Sequence, residues 1–285
     1  YPIQCGNFKL DGGAMFGVVP KSLWERTNPA DSKNLIELGT RSLLVEDGKK
    51  LILIDCGLGN KQDEKFFGHY SLYGDESLDK NLKKFGFVRE DITDVFLTHL
   101  HFDHCGGAIE WNDDKTGYRP AFKNAQFWTN ENHWQWATEP NPREKASFLK
   151  ENILPMQESG QLQFLPTPKT GNYGFAPDLK MDVIFVDGHT EKQMLPVIQY
   201  QEKTIVFAAD LIPTAGHIPQ VYVMGYDTRP LLTMEEKGKF LKQCVENEYL
   251  LFFEHDAHHE LASLKMTEKG VKLDETFSFN EVFGY

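Results

Sequence analysis

Cysteine is scarce in this chain: four residues, at 5, 56, 105 and 244 of 285, with no C-x-x-C spacing. A disulfide scaffold needs a shorter, Cys-dense chain, so the thiols read as free and the expected compartment is a reducing one, the cytoplasm. Tyr1 rather than Met opens the chain, which leaves room for a trimmed leader. No apolar run approaches the roughly 20 residues that span a bilayer. Positive charge is also in short supply, with 30 Lys and Arg against 42 Asp and Glu and a formal charge of −12. Gripping nucleic acid takes a basic face, and an acidic surface is repelled by anionic lipid, so neither partner is expected. The densest basic feature, Lys83-Lys84 with Arg89 nearby, reads as a solvated helix end. What remains is a small-molecule partner, with a homodimer left open. Fixed-period repeats and low-complexity segments are missing as well.

Hydrophobic residues, by contrast, make up 40% of the chain and aromatics 13%, enough for a large core. Segments near Phe8–Val19, Leu35–Glu46 and Lys50–Asp55 read as strands, with Asp47-Gly48 as a hairpin turn between the last two. Leu78, Leu82 and Phe85 recur at helical spacing between Ser77, a candidate N-cap, and Gly86, a stop. Asp94–Thr98 is a buried strand whose end delivers His99. Further on, Ala125–Thr129 reads as a strand, and Asn130–Thr138 and Glu144–Asn152 as helices. Met181–Val186, Leu195–Tyr200 and Thr204–Ala209 are short apolar strands, and Thr233-Met234-Glu235-Glu236 has the form of a capping box. Tyr249–Glu254 then runs as a strand into His255, and Ala262–Phe279 closes the chain as a hairpin. Two strand-rich halves with helices at intervals point to two sheets packed face to face. Strand ends are where α/β sheets place their chemistry. His99, Asp187-Gly188-His189, Asp210 and His255 each follow an apolar strand-like run.

The stretch His99-Leu100-His101-Phe102-Asp103-His104 puts four ligand-type residues within six positions of a chain that has ten histidines in all. Imidazole and carboxylate suit zinc and other borderline divalent ions. At a strand-to-helix turn, His99 and His101 would project to one side, and Asp103 and His104 would reach across the bend towards a second ion. Gly106-Gly107 lets the backbone turn there and pack closely. For the last ligand, His258 and His259 compete with His255, which is preferred because it directly ends its strand. Cys105 beside His104 reads as a small packed residue, and His69 and His217 carry no motif support.

On these residues the chain closely resembles the metallo-β-lactamase superfamily, whose signature is H-x-H-x-D-H. The likeness runs from Leu53-Ile54-Asp55-Cys56-Gly57 through His99–Gly107, Asp187-Gly188-His189-Thr190 and Ala208-Ala209-Asp210 to Phe253-Glu254-His255-Asp256. It implies one α/β (α+β) domain over residues 1–285, a four-layer αββα sandwich of two mixed sheets flanked by helices. It also implies two divalent metal ions, zinc by default, with iron, manganese or cobalt also fitting. One ion would be held by His99, His101 and His189, the other by Asp103, His104 and His255. Asp210 would bridge them, and Asp55 would orient ligands through hydrogen bonds. Two such ions commonly hold a hydroxide that attacks an ester-type carbonyl. Asp103 and Asp210 are then the catalytic carboxylates, Asp103 orienting the nucleophile and passing a proton to the leaving group.

Phe102 within the motif and the run Gly12-Gly13-Ala14-Met15-Phe16-Gly17 are similar to the acyl-homoserine lactonases, while Ala209-Asp210-Leu211-Ile212-Pro213 resembles the methyl parathion hydrolase-like branch. Many lactonases carry Tyr three residues after the bridging Asp, where this chain has Pro213; Tyr222 or Tyr226 would have to substitute. Met15, Phe16, Phe102, His217, Tyr222 and Tyr226 are the candidate pocket residues, with Trp24 behind them. A lactonase is thus expected. The rivals are a phosphotriesterase or arylesterase, a glyoxalase II-like thioesterase, and a non-catalytic metal-binding protein. A nuclease is disfavoured by the acidic charge, and a flavodiiron reductase by the absence of a flavodoxin-like segment.

Overall fold

The computed structural model describes residues 1–284. The chain divides into two compact units, one built from Tyr1–Asn7 and Thr40–Lys180, the other from Phe8–Gly39 and Met181 onward.

In the first unit the sheet runs through residues 2–7 and 40–47, then Lys50–Ile54, Asp94–Phe96, Gln126–Asn130 and Leu162–Leu165 in that order. The Asp47-Gly48 turn forms as expected: Asp47 pairs with Lys50, and Gly48 takes the positive φ of 61° that glycine adopts without penalty. From Lys50–Ile54 onward the neighbours are parallel. Leu53, Val95 and Phe127 therefore share one row, each fully buried. The parallel step from Lys50–Ile54 to Asp94–Phe96 is bridged by the helix Leu78–Lys84, where the Ser77 side chain accepts from Lys80 N and Gly86 (φ 84°) ends the turn. That helix buries Leu78 and Leu82 in the same apolar cluster as Ile92, Val95 and Phe122. Parallel strands leave from one edge, so Asp55 and the segment after Phe96 emerge side by side, with Asp55 N bonded to Phe96 O at 2.8 Å.

In the second unit, strands Met181–Val186, Gln193–Tyr200, Lys203–Phe207, Leu250–Phe252, Leu261–Thr267 and Gly270–Phe277 pair in that order. All these steps are antiparallel except Lys203–Phe207 beside Leu250–Phe252, which is parallel and crosses over through the helix Pro230–Glu246. Both strands of that pair therefore deliver their following residues, Asp210 and His255, to the same edge. The tail is the expected hairpin.

Three sequence expectations need correction. The strand expected over Phe8–Val19 stops at Asp11, whose carboxylate caps a short helix, Gly12–Phe16, by accepting from Ala14 N at 2.8 Å. The second helix of the middle region lies at Lys150–Glu158 rather than Glu144–Asn152. Glu144 is engaged instead by Trp136 Nε1 and Asn141 Nδ2. The long helix starts at Pro230, a residue suited to a first helical position, and not after a Thr233 cap. Thr233 is already inside it, and its hydroxyl donates back to Arg229 O at 3.4 Å. No helix among the described residues is long and apolar enough to cross a membrane.

Phe252 is fully buried between Phe207 (ring centroids 5.1 Å apart) and Phe279 (5.7 Å). Phe252→Ala is expected to cost about 3–5 kcal/mol in a urea or guanidinium titration; a loss below 1 kcal/mol would place the core of this unit elsewhere.

Candidate metal centre

In the first unit, Asp55 lies at the end of its strand with a positive φ of 55°, a conformation Asp tolerates better than most residues. Its carboxylate accepts from Thr98 N (2.8 Å), from Thr98 Oγ1 (2.6 Å) and from His104 Nδ1 (3.0 Å). Those bonds settle where the protons sit. Because Thr98 Oγ1 donates to Asp55, its oxygen accepts from His99 Nδ1 at 3.1 Å, which leaves the His99 lone pair on Nε2. By the same reasoning His104 carries its proton on Nδ1 and its lone pair on Nε2, 4.0 Å from Asp103 Oδ1. His101 Nε2 lies 3.4 Å from Glu144 Oε1. His99 Nε2 and His101 Nδ1 approach to 3.1 Å, a separation at which a proton or a cation is shared between them.

The backbone of the motif is pressed against the preceding strand end. A Cβ at Gly106 would lie 2.1 Å from Leu58 O, and one at Gly107 2.1 Å from Cys56 O, so glycine is required at both. The buried Lys61 donates its ammonium to Gly106 O, and His133 Nε2 accepts from Leu100 N at 2.8 Å, bracing the loop from the other side. Burial pushes the Cys105 thiol up to about 12, and its Sγ faces Leu100 O, so it stays a packed thiol.

In the second unit Asp210 is the centre. It follows Ala209, whose φ of 40° is strained for a residue with a side chain. Asp210 Oδ2 lies 3.1 Å from His189 Nε2, and Oδ1 lies 3.2 Å from His255 Nε2. Behind the rings, His255 Nδ1 donates to Gly39 O at 2.9 Å and His189 Nδ1 meets Asp227 Oδ1 at 2.9 Å. One carboxylate thus offers a different oxygen to each of two imidazoles, with both Nδ1 atoms committed elsewhere. Burial alone would push the His189 pKa down, but Asp210 and Asp227 outweigh it and raise it to about 10. Negative charge at this spot exceeds what neutral rings offset, which is what a cation site needs. His258 and His259 turn away: their backbone amides donate to Asp256 Oδ1, each at 2.9 Å, and His258 is largely exposed. In both units the donors are imidazole nitrogens and carboxylate oxygens held in buried, ordered positions, and they fit a borderline divalent ion such as zinc.

Residues 35–237 match the Metallo-beta-lactamase superfamily. The chain belongs to that superfamily. Its mixed sheets with helices are the metallo-β-lactamase fold, and the protein is a hydrolase of this group. It is 23% identical over 240 residues to an N-acyl homoserine lactonase of Bacillus cereus, covering 80% of this chain and 85% of that one. Among solved structures, a probable metal-dependent hydrolase from Staphylococcus aureus superposes with a TM-score of 0.86 at 27% identity, covering 97% of this chain and 95% of the other. AidC, a dizinc quorum-quenching lactonase in complex with a product, superposes at 0.75 with 22% identity, over 97% and 94% of the two chains.

Metallo-β-lactamase membership was legible from residues that the structure now locates, as was Asp55 behind His104, but the other anchors behind the imidazoles were not. Glu144, Asp227, Thr98 and the Gly39 carbonyl carry no motif. Of the candidate pocket residues, Phe102 packs against Tyr70 (4.7 Å) and Phe66 (5.3 Å), two aromatics not singled out in the sequence. In the second unit Met15 and Phe16 are buried. Phe16 stacks on His217 (4.1 Å) and Trp24 (5.2 Å) and meets Tyr222 edge-on at 6.3 Å, while Tyr226 is 41% exposed.

His217 is fully buried; its Nε2 donates to Met15 O at 2.9 Å and its Nδ1 accepts from Thr214 Oγ1 at 2.8 Å. Burial, the main cause, pushes its pKa down to about 3 from the ordinary 6.5. Between those values the unfolded chain binds a proton that the folded ring refuses, so stability from this group is complete above pH 6.5 and falls as pH drops towards 3. Wild type should lose about 2 kcal/mol more than His217→Gln between pH 6.5 and pH 5, measured by denaturant titration. Parallel profiles would show that His217 is protonated in the fold.

Proposed function

We propose that this metallo-β-lactamase-superfamily hydrolase is a dinuclear lactonase that opens acyl-substituted lactone rings. The observation that carries the reading is the Asp210 carboxylate, whose two oxygens each face a different imidazole, at 3.1 and 3.2 Å. A carboxylate so arranged suits a bridge between two ions, each ion taking one oxygen. In the proposed site His99, His101 and His189 would hold one divalent cation and Asp103, His104 and His255 would hold the other. Asp210 is common to both, and zinc is the default metal from the donor set. Bound there, the cations supply Lewis acidity towards the carbonyl oxygen and bring the pKa of a coordinated water from near 15.7 to about 7.

The protein's own groups do the rest. Asp55, Thr98, Asp227 and the Gly39 carbonyl fix the tautomer and direction of the rings they bond. That makes the imidazoles better ligands and avoids reorganisation during the reaction. Asp103, at the start of the helix Phe102–Cys105 and more accessible than its neighbours, accepts the proton of the attacking water. It then returns that proton to the ring oxygen as the carbonyl carbon–oxygen bond breaks, leaving a hydroxy acid. Phe102 with Phe66 and Tyr70 offers an apolar surface to an acyl chain. The lactonase relatives support this substrate class over thioesters and phosphotriesters.

Metal-loaded protein should hydrolyse N-acyl homoserine lactones well above its rate on thioesters, β-lactams and phosphotriesters, followed by proton release at constant pH. His101→Ala should abolish hydrolysis and lower bound metal. Full activity with full metal content in that variant would show the ligand assignment to be wrong. A loaded wild type that prefers phosphotriesters would move the substrate assignment to that branch.

A further inference from the structure

The Thr-x-x-Glu pattern that reads as a capping box puts Glu236 to a different use. The helix Pro230–Glu246 begins a turn earlier, so Glu236 lies on its buried face. Its two carboxylate oxygens accept from Asp187 N at 2.8 Å and Gly188 N at 2.9 Å, the two amides immediately before His189. The carbonyls of the same loop are held from the same segment. Arg229 Nη1 donates to Asp187 O, Arg229 N to Gly188 O (2.9 Å), and Thr228 N to His189 O (3.1 Å). The loop backbone also rests on the helix, since a Cβ at Gly188 would come within 2.4 Å of Thr233 N.

We propose that Glu236 is a positioning residue that sets the affinity for the cation at His189 by holding the loop Asp187–Gly188 against the helix. The proposal rests on the dinuclear reading above. Asp227 fixes the His189 ring through Nδ1, and Glu236 fixes the backbone that carries the ring. Neither contact suffices alone, because a ring anchored on a loose loop can swing with its anchor. Burial raises the Glu236 carboxyl to about 7 against the pull of the two amides.

The test is Glu236→Gln, which keeps the shape but presents an NH2 group to one of the two amides. Zinc binding is measured by competition with a chromophoric chelator, alongside thermal unfolding of the apo protein. The control is Glu235→Gln, since Glu235 is exposed and pairs with Lys239 on the surface. Glu236→Gln should weaken the tighter zinc constant by about tenfold or more, the scale of losing a ligand's hydrogen-bonded support, and shift the visible spectrum of the cobalt-loaded protein, while Glu235→Gln leaves both unchanged. Unchanged zinc constants with only a lower apo melting temperature would reduce Glu236 to a structural residue and overturn the proposal. Should the Gln variant fail to fold, Glu236→Asp, which retracts the acceptor by one methylene and keeps the charge, is judged by the same readouts. Failure of the underlying dinuclear reading looks different: wild type itself would then bind no zinc.

Discussion

Buried imidazoles facing buried carboxylates are tolerable only when each proton has one assigned place, and this constraint organises the whole centre. Four of the five candidate ligand histidines have one nitrogen tied to an acceptor behind the ring: His99 to Thr98, His104 to Asp55, His189 to Asp227 and His255 to the Gly39 carbonyl. Tying one nitrogen sends the lone pair out through the other. The rings are thereby aimed before anything binds, and the charge of Asp210 and its neighbours calls for a cation in compensation.

The fold serves this arrangement through strand ends. In each unit two adjacent parallel strands, Lys50–Ile54 with Asp94–Phe96 and Lys203–Phe207 with Leu250–Phe252, release their next residues at one edge. Those residues are Asp55 and the Thr98–His104 segment in one unit, and Asp210 and His255 in the other. Immediately past the strands the backbone is forced into unusual geometry, with positive φ at Asp55 and Ala209. Strain of this kind persists only where surrounding contacts over-determine it. At Asp55 three donors do so.

Much of this was readable from the sequence, and the reason is locality. The cluster His99–His104 lies within six positions, the Asp47-Gly48 turn and the Ser77 cap are short-range signals, and the ligand positions follow apolar runs that end at the sheet edge. What was not readable depends on long-range partners. Glu144 looked like the start of a helix, yet it lies beside His101, 43 positions earlier in the chain. Asp227 and Glu236 serve the Asp187–His189 loop from 38 and 49 residues away. The Thr233 box failed because a Glu three residues on had a better use than capping, and Pro230 could open the helix without it. The Phe8–Val19 strand failed because Asp11 found a cap partner in Ala14. The aromatic support of Phe102 by Phe66 and Tyr70 follows no spacing rule at all.

Anomalous diffraction from zinc-loaded crystals, collected on both sides of the zinc absorption edge, tests the central claim most directly. Two peaks are expected, one against each oxygen of Asp210, with His189 Nε2 on one and His255 Nε2 on the other. A single peak, or two peaks that share one Asp210 oxygen or avoid it, would contradict the dinuclear account.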